Sequence, residues 1–203
     1  MIRHSFFFLS LILFSCEVQS QIYVKALQWC PTGELGFLFD KSLGVEIGGK
    51  DDFDREHFRF RGSVDFLRQK PRMNAIPINA YYYSNGQMQF YPAVEVIKKY
   101  DIVQFNIGFD FTPIPKKKLK PYLGIDLSVS AIISNVESTG GPVESHENAS
   151  SGAFSIKGRF GLEYNINRTM SIFAEGQRQY GQIVETMWYS ASDFGIGINY
   201  SFN

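Results

Sequence analysis

At 203 residues the chain has room for one domain, and its 20 basic residues are balanced by 20 acidic ones, so no charge footprint for nucleic acid is present. Its 19 Phe, 11 Tyr and 18 Gly favour short strands over buried helices. No stretch beyond the leader approaches ~18 consecutive apolar residues, which excludes a transmembrane helix.

Residues 1–20 read as a secretory signal peptide: Arg3 and His4 precede an apolar run from Phe6 to Phe14, and Val18-Gln19-Ser20 supplies small positions for cleavage. Leu13-Phe14-Ser15-Cys16 leaves lipidation at Cys16 open as the alternative to cleavage after Ser20. With the leader removed, Cys30 is the single mature cysteine, and buried packing is its expected role.

Residues 21–33 alternate poorly, with Tyr23, Leu27 and Trp29 on one parity and Ile22, Val24 and Ala26 on the other; this reads as a periplasmic lead-in or short strand. Regular alternation begins at residue 34. Leu35, Phe37 and Phe39 share a face, a turn follows at 40–42, and Leu43, Val45 and Ile47 oppose Glu46 and Lys50. Beyond Asp51, Asp52 and Asp54, Phe58, Phe60, Val64 and Phe66 alternate with His57, Arg59, Arg61, Ser63 and Asp65. Ile76, Ile78 and Ala80 lead to Ser84-Asn85-Gly86, a hairpin signal because Asn-Gly accepts positive φ angles. Met88, Phe90, Val94 and Val96 form the return segment, residues 98–101 read as a turn, and Val103, Phe105, Ile107, Phe109 and Phe111 follow.

A lysine-rich turn over 113–120 precedes the two most regular segments, 121–133 and 154–166. In these, Leu123, Ile125, Leu127 and Val129, and later Phe154, Ile156, Phe160 and Leu162, oppose Asp126, Lys157, Arg159 and Glu163. Residues 135–152 and 182–190 read as long connections around a strand holding Ile172 and Glu175, and Phe194, Ile196, Ile198, Tyr200 and Phe202 end the chain.

Ionised residues in mid-strand opposite an unbroken apolar face describe a wall with hydrocarbon outside and polar contents inside. The pattern predicts an all-β, closed antiparallel transmembrane β-barrel over residues 34–203, of about ten strands, with eight and twelve as alternatives. A chain end in the periplasm then puts the turns near residues 52, 85, 117 and 167 on the inner side and 135–152 and 182–190 outside. The short turn at 40–42 falls outside in this count, which keeps the alternatives open. A soluble lipocalin-like barrel, with the faces reversed, is the architectural rival.

The lumen candidates are Arg59, Arg61, Asp65, Glu95, Asp110, Asp126, Lys157, Arg159, Glu163 and Glu175, joined on the same faces by Glu34 and Glu46, so acids outnumber bases. Such a network fills a narrow barrel and leaves no large pore. Trp188, Tyr189 and His146 are the candidates for contacts through the extracellular loops.

The runs PYLGIDLSVS and GRFGLEYNINRTMSIFAEGQRQYG and the ending FGIGINYSF resemble small outer-membrane barrel proteins of Gram-negative bacteria, the OmpA-like, OmpX-like and PorT-like group. The resemblance implies cell outer-membrane localisation and a shared architecture without a shared active site. Asn203 after the terminal aromatic Phe202 departs from the group's ending, and the peptidoglycan-anchoring function of full-length OmpA-type proteins is not expected to carry over.

The expected function is a non-enzymatic outer-membrane barrel, structural or binding through extracellular loops, or a subunit of an envelope assembly. A narrow cation-preferring channel is one alternative. A surface hydrolase built on Ser145, His146 and Glu147 is another, opposed by the divergence of adjacent side chains on a loop. Asp51, Asp52 and Asp54 lack the glycine and terminal glutamate of a calcium loop. No catalytic residue, metal or cofactor is assigned. Outer-membrane lipid is the expected partner, with other envelope proteins or a surface glycan as further candidates.

Overall fold

The computed structural model describes residues 20–52, 57–72, 76–84, 86–139, 145–183 and 187–202. Leader residues 1–19, Cys16 included, and Asp54 lie outside them. Among the described residues the elements are β1 (Ser20–Thr32), α1 (Glu34–Leu38), β2 (Ser42–Asp52), β3 (Phe58–Arg68), β4 (Ile76–Ser84), β5 (Gln87–Phe111), β6 (Leu119–Thr139), β7 (Ser145–Asn165), β8 (Met170–Ile183) and β9 (Met187–Ser201).

Eight of the strands close on themselves. The order runs β3-β2-β1-β9-β8-β7-β6-β5, and β3 pairs back onto β5 from Phe58 opposite Phe111 to Arg68 opposite Asp101. All of these neighbours are antiparallel. β4 stands outside the ring and pairs with the upper part of β5, from Ile76 opposite Glu95 to Ser84 opposite Gln87.

The barrel therefore has eight strands and not ten, for four local reasons, the first being that β4, read as a strand of the wall, stands outside the ring. Residues 21–29, read as a lead-in or short strand, belong to β1, whose mixed parity arises because its inward face is aromatic while Ile22 and Val24 face out. Residues 34–38, read as strand, form one helical turn. The two segments around residues 88–96 and 103–111 are one strand, β5, and the turn expected at 98–101 is a register shift between Ile97 and Lys99 against β6. A bulge inserts a residue and inverts the alternation beyond it, so one strand looks like two.

Face assignment decides between the two barrel architectures. Phe105, Phe109, Leu127 and Phe160 are 50%, 50%, 49% and 66% exposed, whereas Lys25, Glu46, Arg61, Asp110, Lys157 and Glu175 are buried. Apolar side chains point outward all round and ionised ones inward, the reverse of a lipocalin. On β6 the outward face is apolar from Leu123 to Ile133, which at ~3.3 Å per residue and a tilt of ~45° covers roughly the 25 Å apolar band of an outer-membrane barrel.

Gln21 pairs with Ser201 and Ser20 with Asp51, so both ends of the described chain lie at one rim, together with the β2–β3, β5–β6 and β7–β8 connections. This is the periplasmic rim by the rule that inner turns are short. The β4–β5 hairpin, expected on the inner side near residue 85, lies at the opposite rim; Asn85 itself is outside the described residues, and Gly86 takes φ 76° beside it. Most of the connections expected at 135–152 and 182–190 are strand: β6 and β7 pair as far as Ser138 opposite Ser145, and β8 and β9 as far as Ile183 opposite Met187. Beyond the band, β4, β5, β6 and β7 thus continue as a four-stranded outer sheet.

Candidate functional site

The lumen is built from alternate residues of the eight barrel strands and holds two stacked layers. The lower layer is ionic. Glu175 on β8 sits at its centre, accepting from Lys25 Nζ at 2.7 Å, Arg61 Nη1 at 2.7 Å, Tyr122 Oη at 2.9 Å and Gln177 Nε2 at 2.9 Å, with Arg159 Nη1 at 3.4 Å. Lys25 and Arg61 also contact Glu46, so two cations and two carboxylates from β1, β2, β3 and β8 form one cluster. Arg159 reaches on to Asp126 at 2.7 Å and Asp110 at 2.8 Å. Lys157 donates to Asp65 at 2.6 Å, and Asn106 to the other oxygen of that carboxylate at 2.9 Å.

Nearer the periplasmic rim, Arg59 donates to Glu163 at 2.7 Å, and Ser171 does so at 2.8 Å. Lys50 is held differently. Its ammonium is 3.9 Å from Glu163 and lies over three rings, at 4.5 Å from Phe173, 5.2 Å from Tyr23 and 5.3 Å from Tyr122. Ring quadrupoles supply the negative potential that water would otherwise provide. These rings fit because glycine faces them: a Cβ on Gly161 would lie 2.3 Å from Tyr122 Cζ, and one on Gly197 2.4 Å from Phe173 Cζ.

The upper layer is apolar. Leu27, Trp29, Leu35, Phe39, Leu67, Ile102, Ile132, Tyr189 and Ala191 form a buried cluster inside the outer mouth of the barrel. Leu35 and Phe39 come from α1 and its C-cap, one helical turn apart, so both point to the same side and down into the mouth. The cap is tied in place: the Asp40 amide donates to Lys70 O at 2.9 Å, the Arg72 amide to Leu38 O at 2.8 Å, and the Phe39 ring packs on Tyr100 at 4.4 Å. Among the described residues, buried charge below and packed apolar side chains above occupy the lumen in both layers.

Of the residues singled out from sequence, Arg59, Arg61, Asp65, Asp110, Asp126, Lys157, Arg159, Glu163 and Glu175 lie buried in the ionic layer. Glu95 does not join them; it sits above the register shift, half-buried and paired across to Ser138 in the outer sheet. Lys25, Tyr23, Tyr122 and Asp193 are buried lumen residues that the alternation did not flag. Lys25 shares parity with Tyr23 and Trp29 in a segment where both faces look apolar, which hid it. Seven carboxylates and six cations are buried among the described residues, so the expected acid excess narrows to one.

Of the outer contact candidates, Trp188 is 70% exposed, whereas Tyr189 is buried in the cap and accepts a hydrogen bond from Gln179 at 2.8 Å. Neighbouring strand residues face opposite ways, so the pair could not both be presented. His146 lies on β7 with its backbone opposite Glu137; its side chain is outside the described residues. Among the described residues no three His, Cys, Asp or Glu side chains are grouped to hold a metal ion. Asp51 and Asp52 end β2, and Asp54 is not described.

No family model and no curated protein matches the sequence. Solved structures do match the fold. Neisserial surface protein A aligns with a TM-score of 0.55 at 15% identity, covering 90% of this chain and 97% of its own. Ail, the attachment invasion locus protein of Yersinia pestis, in complex with the heparin analogue sucrose octasulfate, aligns at 0.53 and 13%, covering 92% and 100%. A major outer membrane protein from Thermus thermophilus aligns at 0.55 and 10%, covering 90% and 99%. The closed eight-strand ring, its apolar outer wall and these likenesses together give this chain the fold of the small outer-membrane β-barrel proteins.

Proposed function

We propose that this barrel acts without catalysis, as a rigid membrane support that presents its outer sheet to another envelope protein. The observation that carries the reading is the occupied lumen: the ionic layer and the α1 cap fill the interior, so the surfaces left for function are the wall and the sheet above it. That sheet offers Phe90, 70% exposed, and Met88 on β5, above the band where lipid would cover them. It also has an open edge, because β4 is bonded to β5 alone among the described strands, and an open strand edge is a template for a further strand.

The test is photo-crosslinking in intact cells. A photoreactive phenylalanine analogue placed at Phe90 is expected to give a discrete protein adduct, while the same residue at Phe105 in the apolar band gives lipid adducts only. Absence of any protein adduct from Phe90 and from Met88 would overturn the presenting role. A polyanionic glycan is the second occupant to try, because the Ail structure above holds a sulfated sugar.

A further inference from the structure

The apolar wall is not evenly filled. In its periplasmic half a groove of about 440 Å³ opens between Leu123, Phe160 and Phe194, floored by Ala174, and it runs down to Pro113 and Pro121. Its volume falls in the range of small-molecule sites, and its walls are almost wholly apolar. It exists because the Phe160 ring lies across Gly176, where a Cβ would come within 2.5 Å of it, and so leaves the space beside it open.

The two prolines at the foot of the groove bracket the turn that carries Lys116, Lys117 and Lys118, all exposed. Lys118 Nζ stands 5.1 Å over the ring of Tyr164, whose side chain is on the lipid-facing side of β7 next below Leu162. The neighbouring turn adds Arg168, also exposed, and neither residues 112–120 nor 164–171 contain a carboxylate. The acidic end of β2, Asp51 and Asp52, lies beyond β3 on the side away from the groove. An apolar slot at hydrocarbon depth thus ends beside concentrated positive charge at headgroup depth.

We propose that the groove and the lysine turn together bind one anionic phospholipid of the periplasmic leaflet, with an acyl chain against Ala174 and Phe160 and the phosphate at Lys117 and Lys118. A lysine beside an anionic lipid surface favours association by about fivefold. The slot adds what diffuse charge lacks, a fixed place for the chain. The inference rests on the membrane placement and is independent of the role of the outer sheet.

The full chain, purified in detergent, is to be offered equal amounts of phosphatidylglycerol and phosphatidylcholine with identical acyl chains, and bound lipid counted by native mass spectrometry. The expected result is retention of phosphatidylglycerol over phosphatidylcholine by several-fold on the unmodified protein. The double variant Lys117→Gln/Lys118→Gln brings the two lipids to parity, and Ala174→Phe lowers retention of both. Folding of each variant is checked by its unboiled electrophoretic mobility, and Ala174→Leu replaces Ala174→Phe if the latter does not fold. Equal retention of the two lipids on the unmodified protein would overturn the site, as would a preference that survives loss of both lysines. Undiminished phosphatidylglycerol on the groove-filled variant would also overturn it, by showing attraction to charge alone.

Discussion

Arg61 on β3 and Glu175 on β8 meet across the lumen, Nη1 to Oε2 at 2.7 Å, although three strands separate them in the sheet. The pair is a strut between opposite walls. Glu175 also carries Lys25 and Tyr122, so Glu175→Ala leaves Lys25 and Arg61 to share the single carboxylate of Glu46 and is expected to cost about 3–5 kcal/mol. The urea midpoint of the folded barrel in detergent measures this. Replacing Arg61 and Glu175 together with Met is expected to cost less than either single loss, because no isolated charge remains at that contact.

The wall gives a prediction that depends on depth. Leu127 lies near the middle of the apolar band and Ile133 at its outer edge, on the same face of β6. Leu127→Arg is expected to cost roughly 2–4 kcal/mol and Ile133→Arg roughly 0–1 kcal/mol in a bilayer. Equilibrium unfolding from lipid vesicles reads the difference, and equal costs would contradict the placement of the band.

The cap and the ionic layer occupy the lumen at different heights. Phe39→Ala removes a buried ring from the mouth and is expected to cost about 3–5 kcal/mol. It is nevertheless expected to give no conductance steps in planar bilayer recording, because the cluster around Glu175 lies below it unchanged. Stepwise conductance in that variant would show that the cap alone closes the barrel.

Gly161 and Tyr122 face each other across β6 and β7, paired in register, with no room for a Cβ. Gly161→Ala is expected to cost about 1–3 kcal/mol through overpacking. The cost should fall when Tyr122 is also shortened to Ala, a coupling that a double-mutant cycle in urea will expose.

How far the fold could be read from sequence follows from where period two holds. On β6 and β7 the alternation is unbroken from Leu123 to Ile133 and from Phe154 to Ile166, and it names both the faces and the buried charges Asp126, Lys157, Arg159 and Glu163. It misleads at Leu35 and Phe39. Residues four apart share a face on a strand and also on a helix, so one turn of helix passes for a strand. It misleads again in β1, where Tyr23 and Trp29 are inside and Ile22 and Val24 are outside. Hydrophobicity on both faces erases the contrast that the reading depends on, and Lys25 is lost with it. The cross-lumen partners of Glu175 were not legible at all, since they depend on which strands closure sets opposite one another.

The notch in β5 between Ile97 and Lys99 has a consequence for how this molecule can vary. Below it, each residue is committed by the lipid or by the buried charges. Above it the phase is reset, so insertions or replacements in the projecting hairpin need not propagate into the membrane part. The protein can revise what it shows to the outside while the anchor beneath stays as it is.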